Sequence, residues 1–476
     1  MPCGWPSRDT NVFGVRLTII GGGGFRVPLV YRALLSAGFG IDEVALYDAD
    51  PGRVAAIGRV LSGLGPGPRV VVAQALPAAL EGAAYVFCAV RVGGLAGRVA
   101  DERVALRLGL LGQETVGAGG VAYALRGVPV LREVAATIAA VAPRAWTVNF
   151  TNPVGVVTEA MAEVLGARVV GICDSPVGLF RRVAWLLGEP VSGVWFDYSG
   201  LNHLGWLTAA YVRGVDRLPE LMGTPAALAR IEEGRLFGAE RLRELGVLPN
   251  EYLYYYYATD AAIASTLARG ATRGEFLAGQ QDAFYASAAA AVSPAEAAEL
   301  WQRVRAERDA TYLPEAQREA AGAGEPTGGG YEDVALAVMH ALAGGPPSTL
   351  VLNTALRHGA GAGGAGAGGA GAGGAGAGLG VDGGPVGALV DGRAVVEVPC
   401  LVDGTGVHPL VTGALPGPAA RLVVAVKAVD RAILAAAGTG DRELALRAFA
   451  AHPLVARPEQ LLAGYAAAHP ELAAFG

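Results

Sequence analysis

Cysteine is scarce in this chain, with only Cys3, Cys88, Cys173 and Cys400 among 476 residues. Four scattered thiols are too few for a disulfide framework, and they fit a reducing cytoplasm. Lysine is scarcer still: Lys427 stands alone, which excludes a catalytic lysine in the first three-quarters of the chain. Charged residues make up 17% and leave a net charge of −6, with no basic block. Nucleic acid and anionic membrane surfaces are therefore not expected as partners. Mean hydropathy is +0.39, yet Gly, Pro and Arg interrupt every apolar stretch before the roughly 18 residues a membrane helix needs. Residues 1–15 have no basic start followed by an apolar core, so they read as an extension and not as a signal peptide.

What is present begins with glycine. Leu17 to Ile20 has the pattern of a short buried strand and runs into Gly21, Gly22, Gly23 and Gly24. A helical stretch over about 28–37 follows, then a second strand, Val44 to Tyr47, closed by Asp48. This order opens a dinucleotide-binding fold: the glycines let the backbone approach a pyrophosphate at a helix N-terminus, and the acid can hold ribose hydroxyls. The third glycine of the usual pattern is replaced by Val27, and Arg26 precedes it. Strand-like runs at 85–90, 146–150 and 169–172 continue the alternation with helices, which predicts an α/β fold with a Rossmann-like doubly wound parallel sheet over 16–195. Residues 196–476 read as a second, α+β domain, interrupted by a Gly-Ala tract at 359–378 expected to be a flexible loop.

Two short stretches carry the chemistry. Cys173-Asp174-Ser175-Pro176 follows a predicted strand at the sheet edge where α/β proteins bind ligands, and Leu201-Asn202-His203 lies some 30 residues on. Thiolate and imidazole are good ligands for a transition metal, and two of them leave open positions for water or a substrate diol. Taken singly, each reads better as a buried structural thiol or a satisfied core histidine; the pair, with the polar Asp174 and Asn202 beside its members, shifts the reading toward a metal site.

In order along the chain come Leu46-Tyr47-Asp48, Arg91 to Gly94 with Arg98, Gly112-Gln113-Glu114-Thr115-Val116-Gly117, Thr151-Asn152-Pro153, Gly171 to Pro176, Gly200 to Gly205, Leu248 to Tyr252, and Val395 to Cys400. This set, spread from about 16 to 455, resembles glycoside hydrolase family 4, the NAD- and metal-dependent glycosidases that include 6-phospho-β- and 6-phospho-α-glucosidases. The resemblance implies a second domain of the lactate/malate dehydrogenase-like type, a sugar phosphate substrate, and a homodimer or homotetramer. It also implies a route outside the two-carboxylate scheme. NAD takes hydride from the sugar C3, a base removes the acidified C2 proton, the C1 oxygen departs, water adds and hydride returns.

The same resemblance assigns roles. Cys173 and His203 match the metal ligands, usually for Mn²⁺; Gly21 to Gly24 and Asp48 match the cofactor site. Tyr252 matches the C2 base, Asp174 the proton donor of α-specific members, and Arg98, Glu114, Asn152 and Arg273 the substrate contacts. The anomer is open: Asp174 after Cys173 is α-like, while Leu201 to Trp206 and the general run of the chain favour a 6-phospho-β-glucosidase. Where many members have hydroxyls after the glycines, this chain has Phe25 and Arg26, so Arg26 supplies the anion contact or the 6-phosphate preference is altered. A lactate/malate-type dehydrogenase and a non-catalytic nucleotide sensor on the same fold are the alternatives.

Overall fold

The structure, a computed structural model, describes residues 14–38, 40–311, 324–326, 330–356 and 383–476. Residues 1–13 of the expected extension and the Gly-Ala tract at 359–378 lie outside these. Fifteen strands are present among the described residues: β1 Arg16–Ile20, β2 Glu43–Tyr47, β3 Arg69–Val72, β4 Ala83–Cys88, β5 Trp146–Asn149, β6 Val169–Gly171, β7 Val194–Leu201, β8 Leu204–Val212, β9 Val215–Asp216, β10 Leu248–Pro249, β11 Ser348–Ala355, β12 Gly383–Pro385, β13 Val395–Asp403, β14 Gly406–Pro409 and β15 Ala414–Pro416.

The expected doubly wound sheet is there. β3, β2, β1, β4, β5 and β6 lie side by side in that order, all parallel, with the crossover at β1 and β4. Strand residues alternate between two apolar layers: Leu17, Ile19, Tyr85 and Phe87 pack on one face, Ile20, Val86 and Cys88 on the other. Each such side chain buried contributes about 1.5–3 kcal/mol, so the central strands need apolar residues on both sides.

The sheet does not stop at β6. It continues antiparallel through β11, β13, β7, β8 and β10, across the domain boundary expected near residue 195. The joints are narrow: one backbone pair, Asn353 with Gly171, links β11 to β6, and one, Glu397 with Gly200, links β13 to β7. Side chains from the last third of the chain thereby reach the C-terminal edge of the parallel strands, where β1, β4, β5 and β6 deliver their loops.

Candidate active site

The glycine-rich turn is held from both sides. Gly21 and Gly22 donate their N–H groups to the Tyr47 carbonyl, at 2.9 and 2.8 Å, and Gly21 has φ +82°. A Cβ on Gly21 would stand 2.3 Å from the Ala89 carbonyl oxygen, so no other residue fits without moving β4. Asp48 accepts the Gly23 N–H at 2.9 Å and the Asp50 N–H at 3.0 Å. Three aromatic donors from later in the chain grip the turn's carbonyls: Tyr285 OH on Gly23 at 2.6 Å, Trp301 Nε1 on Phe25 at 2.8 Å, and Tyr331 OH on Arg26 at 2.8 Å. The turn enters the helix Val27–Ala37, whose N-terminus is the expected pyrophosphate seat.

Beside it opens a cavity of about 1240 Å³, larger than the roughly 300–1,000 Å³ of a site for one small ligand. Cys173 and Asp174 enter its wall between β6 and the helix Ser175–Leu187. His203 enters from the two-residue turn between β7 and β8, at φ +60°, and Gly200 makes room for that turn: a Cβ there would meet the Leu204 carbonyl oxygen at 2.2 Å. Tyr252 lies on the short helix Glu251–Leu253, capped by the Asn250 side chain, and stacks flat on His203 with ring centroids 3.5 Å apart and planes 4° apart. Arg98, Glu114, Asn152 and Arg273 line the same cavity.

Charge at the site is unevenly balanced. Burial holds the His203 imidazole down at about 4, against the pull of Asp174 and Glu114, so it is neutral near pH 7. Burial, and then Glu397 and Asp174, push the Cys173 thiol well up. Burial also opposes ionisation of Glu114, but Arg91 at 2.6 Å and Arg98 at 2.7 Å prevail and hold its carboxyl down at about 2. Arg98 in addition binds Glu102 at 2.8 Å, whose second oxygen accepts the Gly274 N–H at 2.7 Å. Burial and the neighbouring Arg26, Arg273 and Arg98 lower the Arg308 guanidinium to about 9. Among the described residues Arg308 forms no ion pair, and it lines the cavity.

Nine of the thirteen residues expected to serve the site are brought onto this cavity. Gly21, Gly22, Gly23 and Asp48 are the rest of the set that includes Gly24, and they shape the turn from behind; Gly24 alone of the five is on the wall. Arg273 is there too, but its guanidinium binds Thr311 at 2.7 Å and the Arg308 carbonyl at 2.9 Å. Asn152 presents a buried Oδ1 with no hydrogen-bond partner. Arg26 binds Asp174 at 3.1 Å and lies 4.3 Å over the Tyr331 ring.

Several residues of the site went unassigned in the sequence. Thr115 contacts His203 Nδ1 at 3.0 Å. Glu397, 1% exposed, accepts from Asn353 at 2.9 Å, Tyr198 at 3.0 Å and Asn202 at 3.3 Å, and burial pushes its carboxyl up to about 7 despite those donors. A single acid inside the otherwise apolar run Val395 to Cys400 was the available signal. Arg308, one arginine among many near a helix end, carried none.

Residues 16–189 match family 4 glycosyl hydrolase, and residues 198–360 and 384–455 match the family's C-terminal domain. The chain belongs to glycosyl hydrolase family 4. Within the family it is 30% identical over 383 residues to a probable 6-phospho-beta-glucosidase of Bacillus subtilis (strain 168), covering 79% of this chain and 76% of that one. It is 26% identical over 422 residues to the maltose-6'-phosphate glucosidase of the same organism, covering 84% and 83%. A solved family 4 structure, the 6-phospho-beta glucosidase of Thermotoga maritima with NAD and glucose-6-phosphate, superposes with a TM-score of 0.75 at 26% identity, covering 96% of this chain and 99% of that one.

Proposed function

We propose that this family 4 glycosidase hydrolyses 6-phospho-β-glucosides, with NAD at the glycine-rich turn and a divalent cation, Mn²⁺ by the family's habit, at Cys173 and His203. The donor set suits a catalytic cation: His203 is neutral, its Nδ1 is already engaged by Thr115, and Cys173 shares its cavity. Two protein ligands, Cys173 and His203, would leave positions on the cation open for substrate oxygens. When bound, NAD supplies reversible oxidation at the sugar C3, and the cation supplies charge stabilisation for the carbanion next to that carbon.

The chain's own residues do the rest. Tyr252, stacked on His203, receives the C2 proton on its phenolic oxygen. Asn152 Oδ1 accepts a hydrogen bond from a sugar hydroxyl, and Arg98, fixed by Glu102 and Glu114, donates one. Arg308 meets the 6-phosphate as the cation that no carboxylate neutralises. Arg26 occupies Asp174, the carboxylate that an α-directed proton donor would need free, which favours the β anomer.

The stack of Tyr252 on His203, on the wall of the cavity that Cys173 also lines, carries this reading. It is tested with 4-nitrophenyl α- and β-glucosides, with and without 6-phosphate, in the presence of NAD⁺, Mn²⁺ and a reductant. Turnover of the β-6-phosphate without accumulation of NADH is expected, with a primary isotope effect for deuterium at C2 or C3. Stoichiometric NADH with no glycoside cleavage would replace this reading with a dehydrogenase.

A further inference from the structure

We propose that Thr115, oriented by Gln113, is a positioning residue that fixes the tautomer of His203, leaving Nε2 as the nitrogen with the lone pair. The inference rests on the cation site argued above. Its starting point is the Gln113 carboxamide, whose orientation the backbone decides. Gln113 Oε1 accepts the N–H groups of Thr115 and Val116, each at 2.6 Å, a place that an amide NH₂ could not fill.

Thr115 Oγ1 lies 3.2 Å from that same oxygen and 3.0 Å from His203 Nδ1. Oε1 has no hydrogen to give. The threonine hydroxyl therefore donates to Oε1, and its oxygen is left as acceptor toward Nδ1. A neutral imidazole has one N–H, so the hydrogen sits on Nδ1 and the lone pair on Nε2. Among the described residues no side chain or backbone group bonds Nε2, and His203 is on the cavity wall.

The opposite assignment, with Thr115 donating to Nδ1, turns two oxygen lone pairs toward each other at 3.2 Å. It also puts a hydrogen on the nitrogen that would meet the cation. Histidine ligands commonly give their second N–H to a partner that sets ring and tautomer. Here that partner is a hydroxyl anchored through a carboxamide to the backbone just before the helix Gly117–Val141. The Tyr252 ring fixes the plane of the imidazole; Thr115 decides which nitrogen is bare.

Two measurements on the full-length protein test this. Mn²⁺ titration, with free ion read by electron paramagnetic resonance, should show about 10- to 100-fold weaker binding for Thr115→Val and no more than about threefold for Thr115→Ser. NAD⁺ binding, read by tryptophan fluorescence, should be unchanged in both, as a merely local packing role would not separate the two variants this way. Long-range ¹H–¹⁵N correlation of the metal-free wild type, with His203→Gln for assignment, should place the His203 hydrogen on Nδ1, and this needs no Thr115 variant to fold. Thr115→Val that binds Mn²⁺ like wild type, or a hydrogen on Nε2, overturns the inference and leaves the cation site standing. A wild type that binds no Mn²⁺ overturns the cation site itself.

Discussion

Replacing Glu114 with Gln removes a charge and almost no volume, which makes it a clean probe of the Arg91 and Arg98 pair on the cavity wall. In the wild type each carboxylate oxygen takes one guanidinium, Arg91 at 2.6 Å and Arg98 at 2.7 Å. The carboxyl is held at about 2 against an ordinary 4.5, because the two arginines outweigh the burial that acts the other way. A folded value below the unfolded one means stability that is present above the unfolded value and lost as pH falls toward the folded one. Two and a half pH units correspond to about 3 kcal/mol at pH 7, shrinking to about 1 kcal/mol at pH 3. Glu114→Gln should therefore be about 3 kcal/mol less stable than wild type at pH 7 and only about 1 kcal/mol less stable at pH 3, measured by urea unfolding followed by tryptophan fluorescence. Its KM for the phosphorylated glucoside should rise as well, since Arg98 loses one of two anchors. A stability gap that is equally large at both pH values would refute the electrostatic account and point to packing.

Further outcomes follow from the same geometry. Tyr252→Phe should lower kcat by about 10²–10⁴ while NAD⁺ and Mn²⁺ binding persist; a loss under tenfold in rapid-mix assays would remove Tyr252 as the base. Chelation and dialysis should abolish glycosidase activity and added Mn²⁺ should restore it, and full activity in the chelated enzyme would exclude a cation role. Gly21→Ala, whose Cβ would stand 2.3 Å from the Ala89 oxygen, should weaken NAD⁺ binding and lower the Tm; unchanged NAD⁺ titrations would contradict the close approach. His452 is held at about 4 by burial and its Nδ1 accepts the Leu454 N–H at 3.1 Å, so the fold keeps it neutral. Its stability contribution is full above about 6.5 and falls by about 3 kcal/mol as pH drops to 4, and His452→Gln should flatten that part of the urea-midpoint profile.

Much of the molecule was legible in the chain itself. Strands with one or two apolar faces, closed by glycines or an acid, report burial directly, and the parallel half of the sheet appears where periodicity puts it. Motif order placed Cys173, His203, Tyr252, Arg98, Glu114 and Asn152, and all of them line one cavity. What escaped is tertiary. Nothing local shows that β11 and β13, some 180 and 200 residues after β6 and β7, would wedge between them and bring Glu397 to the site. Nor does the sequence show Tyr285, Trp301 and Tyr331 as donors to the glycine turn, because an aromatic residue announces burial and not its hydrogen-bond partner.

The single-pair joints on either side of β11 and β13 bear on how the enzyme is made. A ribosome delivers β6 and β7 long before the two strands that lie between them, so the nascent parallel half must hold an open edge. Between the emergence of His203 and that of β13, which ends at Asp403, pass roughly 200 residues, or about 10–40 s of synthesis. During that interval Cys173 has no Glu397 beside it, and the thiol and the sheet edge are both unguarded. The most dangerous moment for this active site falls before it exists.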